Sequence, residues 1–476
     1  FRLCLNYIII GFHAIRREKE MKQWMHWLLL SMSALMYGSA FVFPEYCFWM
    51  IFIFLIPIYY TAFAVPTFLT FKKGLWWGFI HFSMSFFGVI VAFHQLGHGS
   101  LRYLAPLGFI AYYSLQAGIW FWIATKCLSI ARNKSSLLIA AMWFLTSLGF
   151  FYFVRYVSLW IFSMPTGTPF GSPLLPLAQH PLLLLTMPYI TETGLQGVFI
   201  IGQLGIAYGL HKRRPMYYLI ACCYPLIFLS GAFLRPNLRR MPEYIKKMGY
   251  VQPPSRNLEI SEQINVLEAS IAKVIDNNPD LLILLLPEST LEIRLNESPE
   301  VIKHFYSAPA TKNVIIVMGS CRSALDKDYN TLFVLNQGRI VQMYDKEILM
   351  PFFEYVPFPW YHFTYFKHLF LKDWDGFHSE HQDQGLFELT PDCVTIPLIC
   401  SELYVSSHYH KLPYESSCPL LFVTRELSFS ATYYQNLFYL FAVFQAIQSQ
   451  RDIIYVSHKY GRWISKDTGE FISLSC

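Results

Sequence analysis

Long apolar runs fill the first half of the chain, and shorter alternating or amphipathic runs fill the second. The runs at about 24–43, 47–69, 75–94, 104–124, 137–163, 188–210 and 216–234 each approach the roughly 20 residues that a helix needs to cross about 30 Å of hydrocarbon. They predict about seven transmembrane helices. Beyond residue 250 the period changes. Ile264, Val266, Leu267, Ile271, Val274 and Ile275 recur at helical spacing and predict an amphipathic helix over Ile260–Asp276. The short apolar runs Leu281–Leu286, Val314–Met318, Thr331–Leu335, Ile340–Met343, Thr395–Ile399, Leu420–Thr424, Ile453–Ser457 and Trp463–Ser465 predict strands, with Gly338, Gly461 and Thr468-Gly469 at turns. Tyr433–Gln450 predicts a further helix, and no internal repeat stands out.

Composition sharpens this division. The 476 residues are 54% hydrophobic and 14% charged, against about a quarter charged in soluble domains. Residues 24–234 hold almost no acid, whereas 235–476 resemble an ordinary globular sequence. The expected domains are therefore a membrane domain over 24–234, a basic linker over 235–249 and a mixed α/β domain over 250–476. The chain opens on Phe1 and offers Met21 as a better start, so residues 1–23 are set apart as an N-terminal segment whose nativeness the sequence leaves open.

The net charge of +6 is no nucleic-acid signal. Much of the surplus sits in short loops between apolar runs: Arg16-Arg17, Lys72-Lys73, the Lys126–Lys134 loop with Arg132, and His211–Arg214. Basic loops face the cytoplasm, so seven spans would carry everything after Leu234 to the far side. Arg155 inside the fifth span has two open readings: a functional buried charge, or a side chain that snorkels or pairs with Glu192. His94 and His98 read as interfacial, and Pro165–Pro181 as an outside loop able to dip into the bilayer. Arg235, Arg239, Arg240, Lys246 and Lys247 make the linker basic, either to hold anionic headgroups or as a solvated connector.

Three residues beside apolar runs carry candidate chemistry. Glu288 follows Leu281–Leu286, Lys346 follows Ile340–Met343, and Cys400 ends Ile396–Ile399. A thiol attacks an acyl carbonyl only as the thiolate, so it needs a proton acceptor and a group that stabilises the oxyanion. A carboxylate raised in pKa by burial fits the first task, and a lysine fits the second. Glu354, eight residues after Lys346, is a candidate to orient the lysine. Taken singly, each residue has a plain structural reading: Glu288 a helix cap, Lys346 a solvated lysine, Cys400 a packing thiol. Their shared order and context favour the site. His378 and His381 have a spacing open to metal binding, but the proposed chemistry needs no metal and no cofactor.

Pro287-Glu288-Ser289, Tyr344-Asp345-Lys346 with Pro351-Phe352-Phe353-Glu354-Tyr355-Val356-Pro357, and Cys400-Ser401-Glu402 together resemble the signature blocks of the apolipoprotein N-acyltransferases, membrane-bound members of the nitrilase superfamily. Val251-Gln252 resembles the entry strand of their nitrilase domain, and Lys72-Lys73-Gly74-Leu75-Trp76-Trp77-Gly78 a loop of their membrane half. The resemblance implies a multi-pass helical membrane domain with an extracytoplasmic α-β-β-α sandwich. It implies Cys400 as nucleophile, Glu288 as base, Lys346 as oxyanion stabiliser, and Glu354, Glu402 and Ser401 in support. It further implies that an acyl chain passes from a phospholipid to the Cys400 thiol as a thioester. The N-terminal amine of a diacylglyceryl-cysteine apolipoprotein then takes it, on the periplasmic side of the bacterial inner membrane.

The sequence departs from the family in places. Ser401 stands where the family usually has an aromatic residue. Arg425-Glu426-Leu427-Ser428-Phe429 replaces Asn-Asp-x-Trp-Phe, Gln445-Ala446-Ile447-Gln448 replaces Arg-Ala-x-Glu, and His458-Lys459-Tyr460-Gly461 replaces an Asn-Asn-Gly turn. Cys476 precedes the last strands and the eighth span that the resemblance implies. A degenerate lipid- or lipoprotein-binding relative and a membrane-tethered amidase or nitrilase are the alternative readings; a transporter would have only Arg155 and Glu192 behind it.

Overall fold

A computed structural model describes residues 23–474, apart from 66–68, 89, 92–100, 132–135, 163–166, 169–170, 214, 234–240, 256, 308–310, 312, 358–359, 364–370, 372–374, 380–384, 406–417 and 426–433. Arg16, Arg17, Arg132, Lys134, His94, His98, Arg235, Arg239, Arg240 and His381 lie outside the described residues.

The apolar half is helical: α1 (Gln23–Val42), α2 (Ile56–Ala64), α3 (Phe71–Ser85), α4 (Leu101–Ala131), α5 (Ser136–Tyr156), α6 (Met187–Lys212) and α7 (Pro215–Phe233). Among the described residues, five stretches are long and apolar enough to span a bilayer: Trp24–Val42, Pro44–Ala64, Tyr103–Ser129, Leu137–Tyr156 and Met187–Lys212. The other two expected spans coincide with α3, which has 15 residues, and α7. The second span is not one helix. It divides into a 3-10 turn (Phe48–Phe52) and α2, with Pro57 near the start of α2. Gln203 mends the break, since Leu55 N donates to its Oε1 at 2.7 Å and its Nε2 donates to Ile51 O at 3.2 Å. Without such a partner, freed backbone groups are costly inside a membrane. The fifth span ends at Tyr156, short of 163, where Thr168 N donates to Val154 O and turns the chain back.

The chain forms two compact units: Phe1–Phe87, Gly108–Phe150 and Gln196–Pro225 make one, and Gly88–Leu107, Phe151–Leu195 and Leu226–Cys476 the other. Among the described residues of the second unit, eleven strands form two sheets. The first sheet runs β1 (Met248–Tyr250), β2 (Ile283–Leu285), β3 (Ile315–Ala324), β4 (Lys327–Asn336), β5 (Arg339–Asp345) in sequence order. Its first three strands are parallel and the rest antiparallel. The second contains β6 (Phe387–Thr390), β7 (Cys393–Ile399), β8 (Leu420–Val423), β9 (Ile453–Val456), β10 (Gly461–Ile464) and β11 (Phe471–Ser473), with β7, β8 and β9 parallel at its centre.

Strand periodicity sorts the side chains into layers. Ile283, Leu285, Val317, Leu332 and Val334 form one core with Ile399, Leu421, Val423, Ile454 and Val456 of the other sheet. The alternate positions Leu284, Ile316, Met318, Phe333 and Leu335 pack on Leu267 and Ile271 of α8 (Ile260–Asn277) and on Ile302 and Phe305 of α9 (Pro299–Phe305). On the far sheet, α10 (Tyr434–Ser449) lies over β9 and β10. The order helix, sheet, sheet, helix is the expected α-β-β-α sandwich. Each fully buried Leu or Ile in these layers contributes about 1.5–3 kcal/mol. The Pro165–Pro181 loop packs its 3-10 turn, Leu175–Gln179, against α10.

Candidate active site

Glu288, Lys346 and Cys400 each stand just beyond a strand, after β2, β5 and β7 respectively. Two of these exits are sharp. Ser289 and Cys400 both have φ of +49°, a region that residues with a Cβ rarely occupy. Such strain persists where the surroundings hold it in place. Cys400 opens a 3-10 turn, Cys400–Tyr404, and its partly exposed side chain packs at the edge of the core between the sheets.

The Glu288 turn rests on β3. Thr290 N donates to Gly319 O at 2.9 Å, and Gly319 N donates to Pro287 O at 3.2 Å. A Cβ on Gly319 would lie 2.6 Å from Glu288 Cα, so only glycine lets the turn approach this closely. Lys346 is held from behind. Its N–H donates to Asn330 O at 2.8 Å. The preceding Asp345 accepts from Arg322 Nε at 3.0 Å, from Arg322 Nη2 at 2.5 Å and from Thr331 Oγ1 at 2.5 Å. Glu354 lies in a tight turn, where Phe352, at φ of +66°, donates its N–H to Tyr355 O at 2.7 Å.

These elements bring Glu288, Lys346, Glu354 and Cys400 together. Lys346 Nζ is 2.8 Å from Glu354 Oε2 and 3.7 Å from Glu288 Oε1. Asn330 Nδ2 donates to both carboxylates, at 2.8 Å to Glu288 and 2.9 Å to Glu354. Met350 N donates to the other Glu354 oxygen at 2.7 Å. Glu288, Asn330, Lys346 and Glu354 are all buried. Removing one partner of a buried pair like this costs about 3–5 kcal/mol, because the other charge is stranded.

Ser401 and Glu402 sit behind the thiol and stitch its turn to the Lys346 loop. Ser401 Oγ donates to Ile348 O at 2.7 Å. Glu402 Oε1 accepts from Tyr344 OH at 2.8 Å, Glu347 N at 2.7 Å and Ile348 N at 3.2 Å, while Oε2 accepts Ile399 N at 2.7 Å.

The charges follow from this packing. Burial raises the Glu288 pKa, opposed by the Lys346 charge and reinforced by Glu354. Burial alone would lower Lys346, but Glu354, Cys400 and Glu288 overcome it and hold the ammonium well above its ordinary value. Burial and then Glu288 push the Cys400 thiol up, with Lys346 pulling the other way. Burial lifts Glu402 to about 7 against its hydrogen bonds. The resting state is thus a protonated lysine beside a protonated thiol, with Glu288 close enough to exchange a proton with that thiol.

Sequence reasoning passed over Asn330 and Gly319. Neither stands in a recognisable word: Asn330 lies mid-strand and Gly319 inside an apolar run. Among the described residues no group of three or more His, Cys, Asp or Glu is arranged to hold a metal ion.

The chain thus joins apolar helices long enough to cross a membrane to an α-β-β-α sandwich. No family model matches the chain. It is similar to the apolipoprotein N-acyltransferase of Aquifex aeolicus, 27% identical over 220 residues, or 42% of this chain and 48% of the relative. Apolipoprotein N-acyltransferase 2 of Treponema denticola is 25% identical over 329 residues, 60% of this chain and 56% of the relative. That of Wolinella succinogenes is 32% identical over 77 residues, 16% of this chain and 18% of the relative. The chain is thus similar, at low identity, to three proteins of that name. It spans about half the length of the first two relatives. Among solved structures, a carbon-nitrogen hydrolase from Helicobacter pylori G27 aligns at a TM-score of 0.36 and 14% identity, over 48% of this chain and 84% of that one.

Proposed function

We propose that this chain transfers an acyl chain from a phospholipid, through a thioester on Cys400, to the N-terminal amine of a diacylglyceryl-cysteine apolipoprotein. The observation that carries the reading is the Lys346 ammonium standing between Glu354 and Glu288 with the Cys400 thiol beside them. In the first half-reaction Glu288 takes the thiol proton as sulfur attacks the ester carbonyl. Lys346 meets the charge that develops on the carbonyl oxygen. The C–O ester bond breaks, the S–C bond forms, and Glu288 returns the proton to the departing glycerol oxygen. In the second half the lipoprotein amine attacks the thioester, Glu288 takes a proton from the nitrogen, and the thiol leaves with that proton.

Glu354 keeps Lys346 charged and aimed, and Glu402 and Ser401 hold the two loops in register. Both substrates carry acyl chains, which accounts for a thiol site joined to apolar helices. We place the domain on the periplasmic side of a bacterial inner membrane, because the basic residues Lys72-Lys73 at the start of α3 and His211-Lys212 at the end of α6 suit the cytoplasmic face. The names of the relatives, apolipoprotein N-acyltransferases, support the same reaction class. The test is to give detergent-purified protein a phospholipid with a labelled acyl chain and a diacylglyceryl-cysteine peptide. The labelled chain is expected on the peptide amine, and unlabelled peptide with folded protein would refute the proposal.

A further inference from the structure

Arg155, near the end of α5, is wholly enclosed, at 0% exposure. Among the described residues, none of its guanidinium nitrogens has a hydrogen-bond partner. Its charge is met by Glu192, 3.4 Å from Nε. Glu192 is itself built in. Thr191 has φ 64° and ψ 164°, which interrupts α6, and its Oγ1 accepts Gly194 N at 3.2 Å as an N-cap. Glu192 therefore opens the next helical turn, where the helix dipole favours a carboxylate. Tyr156 OH and Gln448 Nε2 donate to its Oε2 at 2.6 and 3.1 Å. The returning loop closes over the arginine. A Cβ on Gly167 would lie 2.4 Å from Arg155 C, and one on Gly171 would lie 2.5 Å from Arg155 N.

This trapped cation lies over a ring of α10. The Arg155 guanidinium carbon is 5.3 Å from the centre of the Phe441 ring and 4.8 Å from that of Tyr156. Phe441 meets Tyr404 edge-on at 5.0 Å, and Phe438 packs on Tyr404 at 5.9 Å. Tyr404 is the last residue of the turn that Cys400 begins. All of these residues belong to one compact unit.

We infer that Arg155 is a positioning residue for the nucleophile: through Phe441 and Tyr404 it braces the strained Cys400 turn from behind. This inference rests on Cys400 being the acyl-accepting thiol. Full enclosure keeps Arg155 from touching a substrate, so its effect must travel by packing. A stacked arginine suits that task, because a planar cation packs on a ring in a way that lysine does not.

The test uses the full chain in detergent with Arg155→Lys, Arg155→Met, Phe441→Leu and the Arg155→Lys/Phe441→Leu double variant. Three rates are read: thioester formation from a labelled phospholipid, alkylation of Cys400 by iodoacetamide, and thermal unfolding. Arg155→Lys keeps a charge for Glu192 and so guards against a variant that fails to fold. Arg155→Lys and Phe441→Leu are each expected to slow thioester formation and to change Cys400 alkylation by roughly 2- to 30-fold, the span of couplings carried through packed side chains. The apparent KM for phospholipid should stay unchanged, and the double variant should do no worse than the poorer single one. The inference fails if Arg155→Lys alters only thermal unfolding, or raises KM with both rates as in the parent, or if the two losses multiply. A parent protein that forms no thioester would refute the acyl-transfer reading instead, with the alkylation rates still deciding the role of Arg155.

Discussion

Lys346 Nζ lies 2.8 Å from Glu354 Oε2, nearly an ångström closer than it lies to Glu288. Glu354 is the tight ionic partner, which leaves Glu288 freer to gain and lose a proton. Asn330 fixes that asymmetry, since its single Nδ2 donates to one oxygen of each carboxylate. Hydrogen bonds to charged groups are worth about 1.5–3 kcal/mol. Asn330→Ala is therefore expected to slow thioester formation by roughly 10- to 100-fold, with phospholipid binding unchanged. A single-turnover measurement with a labelled donor decides it, and a parent-like rate would remove Asn330 from the site.

Gly319 tests the same geometry from beneath. Gly319→Ala would set a methyl 2.6 Å from Glu288 Cα and 2.8 Å from Ser289 N. The clash is with backbone, which cannot rotate away. Overpacking of this kind costs about 1–3 kcal/mol, and the base moves with its turn. Thermal unfolding should drop by several degrees and acylation should fall with it. Unchanged values for both would mean that the Pro287–Thr290 turn is not held as described.

The charges around Cys400 give a prediction with a definite sign. Burial raises the thiol pKa most, Glu288 raises it further and Lys346 lowers it. Glu288→Gln removes the negative neighbour, so the pKa falls and more thiolate is present at pH 8. Alkylation by iodoacetamide should then be faster than in the parent, although acyl transfer is lost. Lys346→Met should do the reverse and slow alkylation. A slower rate in Glu288→Gln would show that proton removal by Glu288 outweighs the effect of its charge, and an unchanged rate would show that Glu288 does not act on the thiol.

Glu402, at about 7 in the folded protein, gives a pH dependence of stability. An ordinary unfolded carboxyl titrates near 4.3. The folded state then binds more protons between the two values, so this residue makes stability fall as pH rises through that window. The contribution is on the order of 3 kcal/mol across it. Glu402→Gln cannot titrate. The difference in Tm between pH 5 and pH 8 should be smaller in Glu402→Gln than in the parent, whatever the offset from its lost Ile399 N–H acceptor. An equal or larger difference would show that Glu402 is ionised throughout.

Much of this protein is written in local patterns, and the exceptions have physical causes. Glu288, Lys346 and Cys400 could be picked out because each follows an apolar run that must be a strand, and a reactive group just beyond a strand is a familiar arrangement. The amphipathic helix over Ile260–Asn277 was equally plain, because its apolar positions keep one helical face. Asn330 was hidden. It becomes part of the site only when β4 pairs with β3 and β5, with Cys321 opposite Asn330 and Asp345 opposite Thr331. The break in the second span was hidden for the same reason. Its repair comes from Gln203, nearly 150 residues away. Several short elements leave no pattern to read, among them β1, Met248–Tyr250. Phe387–Thr390 and Phe471–Ser473 are too brief to show a period, and the latter is exposed along its length. Helix Pro299–Phe305 has only seven residues. Arg155 and Glu192 were visible as charges in apolar surroundings, but whether they meet was a question of tertiary packing.

The most direct measurement is intact mass of the protein after incubation with a phospholipid bearing a labelled acyl chain, with Cys400→Ala alongside. One acyl chain should be added to the parent, removed by hydroxylamine and absent from Cys400→Ala. A folded parent that gains no acyl chain, or one that gains it equally in Cys400→Ala, would contradict the claim that Cys400 carries the thioester.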